Sequence, residues 1–75
     1  MKLKELEVGD RAKIIGYSTK DRDYRHKLLR MGLIKRAEFQ IIRKAPLGDP
    51  IEIKISGFNL TLRKMEANIL EVEKV

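Results

Sequence analysis

A mainly β fold with one inserted helix is predicted by three features of this sequence. Apolar and polar residues alternate through Ile51, Ile53 and Ile55 and again through Phe58, Leu60 and Leu62, the period of two that marks strands with one face buried. Turn-forming residues interrupt the chain at short intervals, at Gly9-Asp10, Ala45-Pro46-Leu47-Gly48 and Ser56-Gly57, as small all-β domains require. Only the stretch from Asp21 to Met31 sets apolar residues at helical spacing between a capping residue and a glycine.

The elements follow in order. Leu3, Leu6 and Val8 read as one apolar turn, reversed by Gly9-Asp10 into a first strand, Arg11 to Tyr17. Ala12 and Ile14 point one way along it, Arg11, Lys13 and Ile15 the other, and Gly16 marks a bend or bulge. Asp21 is a good N-cap, and Asp23 favours the helix dipole in the first turn. Tyr24, Leu28 and Met31 then form one face of a helix over about residues 21–31, Leu29 widens the stripe, and Arg22, Arg25, His26 and Arg30 take the other side. Gly32 closes the helix in a left-handed conformation, with Leu33 packing beneath it.

Ala37 to Lys44 read as a second strand, Phe39 and Ile41 inside. Pro46 and Gly48 suit the second and fourth positions of a type I turn. The next two strands are joined by Ser56-Gly57, a dipeptide fitted to a two-residue hairpin. Lys64 to Asn68 form a short helical turn, and Leu70 and Val72 a last strand with Glu71, Glu73 and Lys74 in water. About five short strands with a helix between the first two fit a small SH3-like barrel first. An OB-fold is second, because its helix usually follows the third strand. Tyr24, Leu28, Met31, Ile53, Leu60 and Leu62 are the expected core, with Phe58 in the same inward stripe.

At 75 residues the chain makes one domain, 1–75, and its 43% apolar content suffices for one core without staples. It has no cysteine, which removes disulfides, thiolate metal sites and a cysteine nucleophile together and fits a reducing compartment. No apolar run exceeds three residues, against the ~20 that cross a bilayer, and Lys2, Lys4, Glu5 and Glu7 interrupt any signal-peptide pattern. The cytoplasm is the expected location.

No residue set looks catalytic. His26 is the only histidine and lies between Arg25 and Lys27, where a cation would be repelled. Neither GxxxxGK nor GxGxxG occurs, so no phosphate cradle is expected. No cofactor and no resident metal ligand set is implied; metal sensing would need carboxylates or a site shared between molecules. The charge is more informative. All of the net +6 falls in residues 20–44, which hold nine Lys/Arg against Asp21, Asp23 and Glu38. Such a field favours an acidic partner. The expected contacts are Arg22, Arg25, Arg30, Lys35, Arg36, Leu47 and Asp49. Leu47, at a loop tip, either touches a partner or folds back over the barrel end. A nucleic-acid-binding barrel is the runner-up, weakened because only Tyr17, Tyr24, Phe39 and Phe58 are aromatic and Tyr24 and Phe58 belong to core stripes.

These residues resemble the FeoA family, small cytoplasmic proteins of bacterial ferrous-iron uptake. The resemblance runs from Leu3 to about Glu73. It rests on Leu6 with Gly9, KLLRMGL at 27–33, FQIIRKAPLGDPIEI at 39–53 and GFNLTLRKMEA at 57–67. It implies an SH3-like barrel and a partner, FeoB, a membrane transporter with a cytoplasmic GTPase domain. It extends also to the C-terminal SH3-like domain of iron-dependent repressors, although no helix-turn-helix precedes this stretch. Where the family commonly has proline and glycine after MGL, this chain has Lys35 and Arg36. Either the connection takes another shape, or Arg36 adopts a strained positive φ. An exposed barrel edge would leave weak self-association open.

Overall fold

A computed structural model describes residues 1–75. Its five strands are β1 (Arg11–Tyr17), β2 (Glu38–Lys44), β3 (Ile51–Ile55), β4 (Phe58–Leu62) and β5 (Leu70–Lys74). They form one antiparallel sheet in the order β4-β3-β2-β1-β5. Because β4 and β5 do not pair, the barrel stays open along one seam. Helix α1 (Arg22–Arg30) joins β1 to β2, and α2 (Lys64–Ile69) leads from β4 into β5. A single 3-10 turn, Leu3–Glu5, precedes β1. The mainly β reading, the inserted helix and the five strands are all present.

Local chemistry accounts for each boundary. In β3 the three isoleucines are buried while Lys54 stays in water and Glu52 is half-buried. The following turn has φ 52° at Ser56 and 83° at Gly57, the two positive values that a type I′ hairpin needs. The β1–β5 register shifts between Ile14 and Gly16, so Gly16 does sit at a bulge. A second shift, between Ile41 and Arg43, lets Ile42 turn outward from β2. Asp21 caps α1, its carboxylate accepting from the backbone N–H groups of Asp23 (3.0 Å) and Tyr24 (3.3 Å). At the other end, Leu33 N–H bonds to Leu28 C=O and Gly32 N–H to Leu29 C=O. Gly32 has φ 95°, and this pair of bonds is the Schellman closure that needs a residue without a Cβ.

Fifteen residues are buried, every one of them apolar, and they form one continuous cluster. Leu28 is the helix's buried contribution, with Tyr24 and Met31 half-buried at its sides. Two expectations need correction. Leu29 is exposed, since α1 meets the barrel along the narrow line of Leu28 and its flanks. Phe58 is 44% exposed, because it starts β4, the sheet's edge, where no strand lies beyond to cover it, while Leu60 is half-buried against the core as Tyr24 and Met31 are. Phe58 instead rests on Gly32, where an added Cβ would stand 3.1 Å from its ring.

The chain start is sewn to the far edge of the sheet. Val72 N–H donates to Met1 C=O (2.9 Å), and the N-terminal ammonium donates to Val72 C=O (3.2 Å). Glu71 accepts from the Lys2 ammonium and from the Ser18 hydroxyl, which hold its carboxyl below the usual range. Asp10 is held low in the same direction, first by the backbone N–H of Glu7 and then by Lys74. A carboxyl whose folded pKa is depressed adds stability above its unfolded pKa and loses it as pH falls through the folded value. Acidification below the usual carboxylate range is therefore expected to free Met1–Glu5 from β5 before the core opens. Amide exchange at residues 1–6 and at Val72, followed from neutral to acid pH, checks this.

Candidate docking surface

The turn that leaves α1 decides where its charges point. Ala37 N–H bonds to Ile34 C=O (3.1 Å), closing a four-residue turn with Lys35 and Arg36 at its centre. Arg36 has φ 77°, the positive value that the third position of a type II turn demands and that glycine adopts most readily. The connection thus keeps the glycine-type shape, with an arginine strained into it. It is bolted to β1, since Arg36 N–H donates to Ile14 C=O (2.6 Å) and Ile14 N–H to Ala37 C=O (3.0 Å). Both basic side chains stand in water, beside a shallow hollow lined by Lys13, Ile15, Glu38 and Glu73.

On α1, Arg22 and Arg30 are exposed and Arg25 is half-buried. Arg30 Nε donates weakly to His26 C=O (3.4 Å), and His26 has an exposed side chain. Lys27 instead reaches Glu66 of α2 (3.5 Å) and sits 5.5 Å over the Tyr24 ring. Arg43 is paired with Glu52 at 2.9 Å. None of the five predicted cations, Arg22, Arg25, Arg30, Lys35 and Arg36, has a carboxylate within ion-pair distance. They are concentrated on one helix and its exit, and none is tied up in an ion pair, although Glu38 and Glu73 line the hollow beside Lys35 and Arg36.

Leu47 and Asp49 belong to a second place. Gly48 N–H bonds to Ala45 C=O (2.7 Å) and Ala45 N–H to Pro50 C=O (3.1 Å), so the β2–β3 loop is held at its base. Asp49 accepts from Lys64 N–H (2.9 Å), supplying the first turn of α2 with a carboxylate. Leu47 is 96% exposed. It does not fold back over the barrel, and it overhangs a hollow lined by Lys4, Ile51, Lys64, Ala67 and Asn68.

These two groups lie at opposite ends of β3. Ile51 follows the Leu47 loop, whereas Ile55 leads through the hairpin to Phe58 and so to Gly32 at the end of α1. The strand between them spans about 13 Å. Helix α2 connects the groups, with Lys64 on Asp49 and Glu66 on Lys27. Its Met65, 68% exposed, and the exposed Ile34 were not anticipated as surface features. No group of three or more His, Cys, Asp or Glu is placed to hold a metal ion.

The aromatic side chains bear on nucleic acid. Tyr17 is half-buried with its hydroxyl donating to Leu33 C=O (2.6 Å), and burial pushes its pKa up. Phe39 is in the core, Tyr24 is half-buried, and Phe58 alone is exposed. A row of free rings beside the charge, the arrangement that stacks bases, is not formed.

Comparison with known proteins shows the family, and the fold is shared more widely, since a manganese-dependent transcriptional repressor superposes with a TM-score of 0.90 at 17% identity over 36% of its length. The model of the FeoA domain matches residues 1–74. An Fe(2+) transport protein A/Fe(2+) transporter FeoB fusion protein of Porphyromonas gingivalis is 33% identical over all 75 residues, and the chain spans 9% of that protein's length. The solution structure of iron(II) transport protein A from Clostridium thermocellum superposes with a TM-score of 0.89 at 44% identity, covering 100% of this chain and 46% of that one. A Stenotrophomonas maltophilia FeoA solved with zinc and described as a prokaryotic SH3 domain protein gives a TM-score of 0.80 at 24% identity. The latter match covers 97% of this chain and 89% of that chain, and it supports the SH3-like assignment of the fold.

The strained turn makes a prediction. Arg36→Gly relieves a left-handed conformation that costs a side chain about 1 kcal/mol or more, offset by the greater unfolded-state freedom of glycine. A net stabilisation of about 0.5 kcal/mol is expected. Urea unfolding of the two proteins, with equal m-values, measures it.

Proposed function

Because this chain belongs to the FeoA family, we propose that it is a non-enzymatic accessory protein of ferrous iron uptake that docks on the cytoplasmic part of an FeoB-type membrane transporter and regulates it. The observation that carries this reading is the group of five cations without ion-pair partners on α1 and its exit. The identity of the partner is supported by the homologue in which the two proteins are one chain. Covalent linkage raises the effective concentration of one module at the other.

The two groups of contacts have different physical roles. Arg22, Arg25, Arg30, Lys35 and Arg36 attract an acidic surface from a distance and set the encounter rate. Leu47, held in water by a braced loop, supplies apolar area that is removed from solvent on contact, and Asp49 fixes the loop beside it. Regulation follows if the bound surface differs between two states of the transporter, because a ligand shifts an equilibrium only by its differential affinity. No helix of the chain is long and apolar enough to cross a membrane. In this reading the protein works in the cytoplasm and is brought to the inner face of the membrane by its partner.

Isothermal titration of the full chain into the isolated cytoplasmic GTPase domain tests the reading. Binding is expected to weaken about tenfold or more for the triple variant Arg22→Glu/Arg25→Glu/Arg30→Glu, with a shallower salt dependence. Leu47→Asp is expected to weaken it about tenfold with the salt dependence kept. Equal affinity for all three well-folded proteins would rule the surface out.

A further inference from the structure

The two ends of the sheet are treated differently. At β5 the outer edge is occupied by Met1, which exchanges two hydrogen bonds with Val72. At β4 nothing takes that place. The two-residue turn makes Ile55 and Phe58 a hydrogen-bonded pair, so Phe58, Leu60 and Leu62 bond to β3, and Asn59 and Thr61 direct their N–H and C=O groups away from the sheet. Neither residue makes a backbone bond outside the β3–β4 ladder, and both are exposed. The Asn59 side chain is bonded across the sheet face to Glu52 (3.1 Å) and does not cap the edge.

Edges left open in soluble proteins are normally blunted by charges, proline, a bulge or a covering segment. β4 has none of these. Its sequence, FNLTL, is uncharged in a chain that is 37% charged, and its five pairs with β3 run without a register shift. Phe58 and Leu60, incompletely buried, lie along the same edge.

We propose that β4 is a self-pairing edge, taking β4 of a second copy of this chain antiparallel about a two-fold axis at Leu60. In that register Asn59 faces Thr61 of the second copy and Thr61 faces its Asn59, so the outward groups exchange four backbone hydrogen bonds. Leu60 meets Leu60, and Phe58 meets Leu62. Arg63 falls opposite Gly57, so no like charges are brought face to face. A neutral strand has no means of selecting an acidic or a basic partner, but this one is complementary to itself. One short strand pair buries less than the ~800 Å² per partner of a standard interface, and each copy carries +6. The pairing is therefore weak, and salt strengthens it by screening the repulsion. Docking of the basic helix on an acidic surface has the opposite salt response, so the two interactions are separable.

Amide hydrogen exchange and chemical shifts of the labelled full chain test this, compared at about 10 µM and about 1 mM protein and at low and high salt. At low concentration the Asn59 and Thr61 amides exchange freely while Leu60 and Leu62 are protected. At high concentration and high salt, Asn59 and Thr61 become protected at least about twofold and their shifts move. Thr61→Pro removes an N–H that bonds nothing inside the fold, a position where an edge strand tolerates proline. It abolishes the concentration effect at Asn59 and keeps Leu60 protected. Thr61→Lys does the same by repulsion and serves if the proline variant unfolds. Protection of Asn59 and Thr61 already at low concentration, or no change at high concentration and salt, would overturn the proposal. So would protection that appears only on adding the transporter's cytoplasmic domain, which would assign the edge to a strand of that partner.

Discussion

Fifteen apolar side chains fill the interior, and in a chain of 75 residues that core leaves no place for a buried charge. Burial of even one uncompensated ion would cost several kcal/mol, a large share of what so small a domain has in hand. All 28 Lys, Arg, Asp and Glu residues are consequently outside the buried core. Their arrangement along the sequence becomes the arrangement of charge on the surface. The inward set, Ile51, Ile53, Ile55, Ile14, Ile41 and Val72 from the strands and Leu28 from α1, fixes which side of each element faces out. Once Leu28 is buried and Gly32 closes the helix, the arginines of α1 can only face solvent or the rim of the barrel.

Much of this was legible in the sequence, where one local rule settled one element. Alternation placed the three β3 isoleucines inside; an aspartate before a helical stripe capped α1; Ser-Gly gave a two-residue hairpin. What was not legible depended on neighbours. Alternation assigns Phe58 to the inner face correctly, but it cannot say that β4 has no strand beyond it, and so the ring is left 44% exposed. Leu29 sits beside Leu28 on the helix, yet contact along a single narrow line leaves it outside. Arg36 posed a choice between a new turn and a strained one, and the bonds to Ile14 on β1 decide for strain. Asp49 illustrates the same limit at the docking surface. As a loop carboxylate it reads as a contact residue, and only the fold brings Lys64 N–H to it.

The predicted contacts remain on the surface, but in two groups, with β3 setting the distance and α2 bridging it. Under the proposed docking, the charge at one end and the apolar side chain at the other would meet a partner with a broad acidic face and a hydrophobic depression some distance away. Such a division lets rate and lifetime be tuned separately, since rim charges act mainly on association and desolvated apolar anchors on dissociation. The uncharged edge at β4 belongs to neither group. A basic helix, a braced leucine and a free strand thus offer three chemically distinct surfaces on one small barrel.

Docking on the transporter is tested by an amide NMR titration of the labelled chain with the isolated GTPase domain of the transporter at physiological salt, with random duplex DNA as the control. Shifts are expected on residues 22–36 and 47–49 with the GTPase domain, continuous through α2, and none of comparable size with DNA. Shifts that appear only with DNA, are distributed over the basic segment, leave Leu47 unmoved and fade steeply as salt is raised would contradict it.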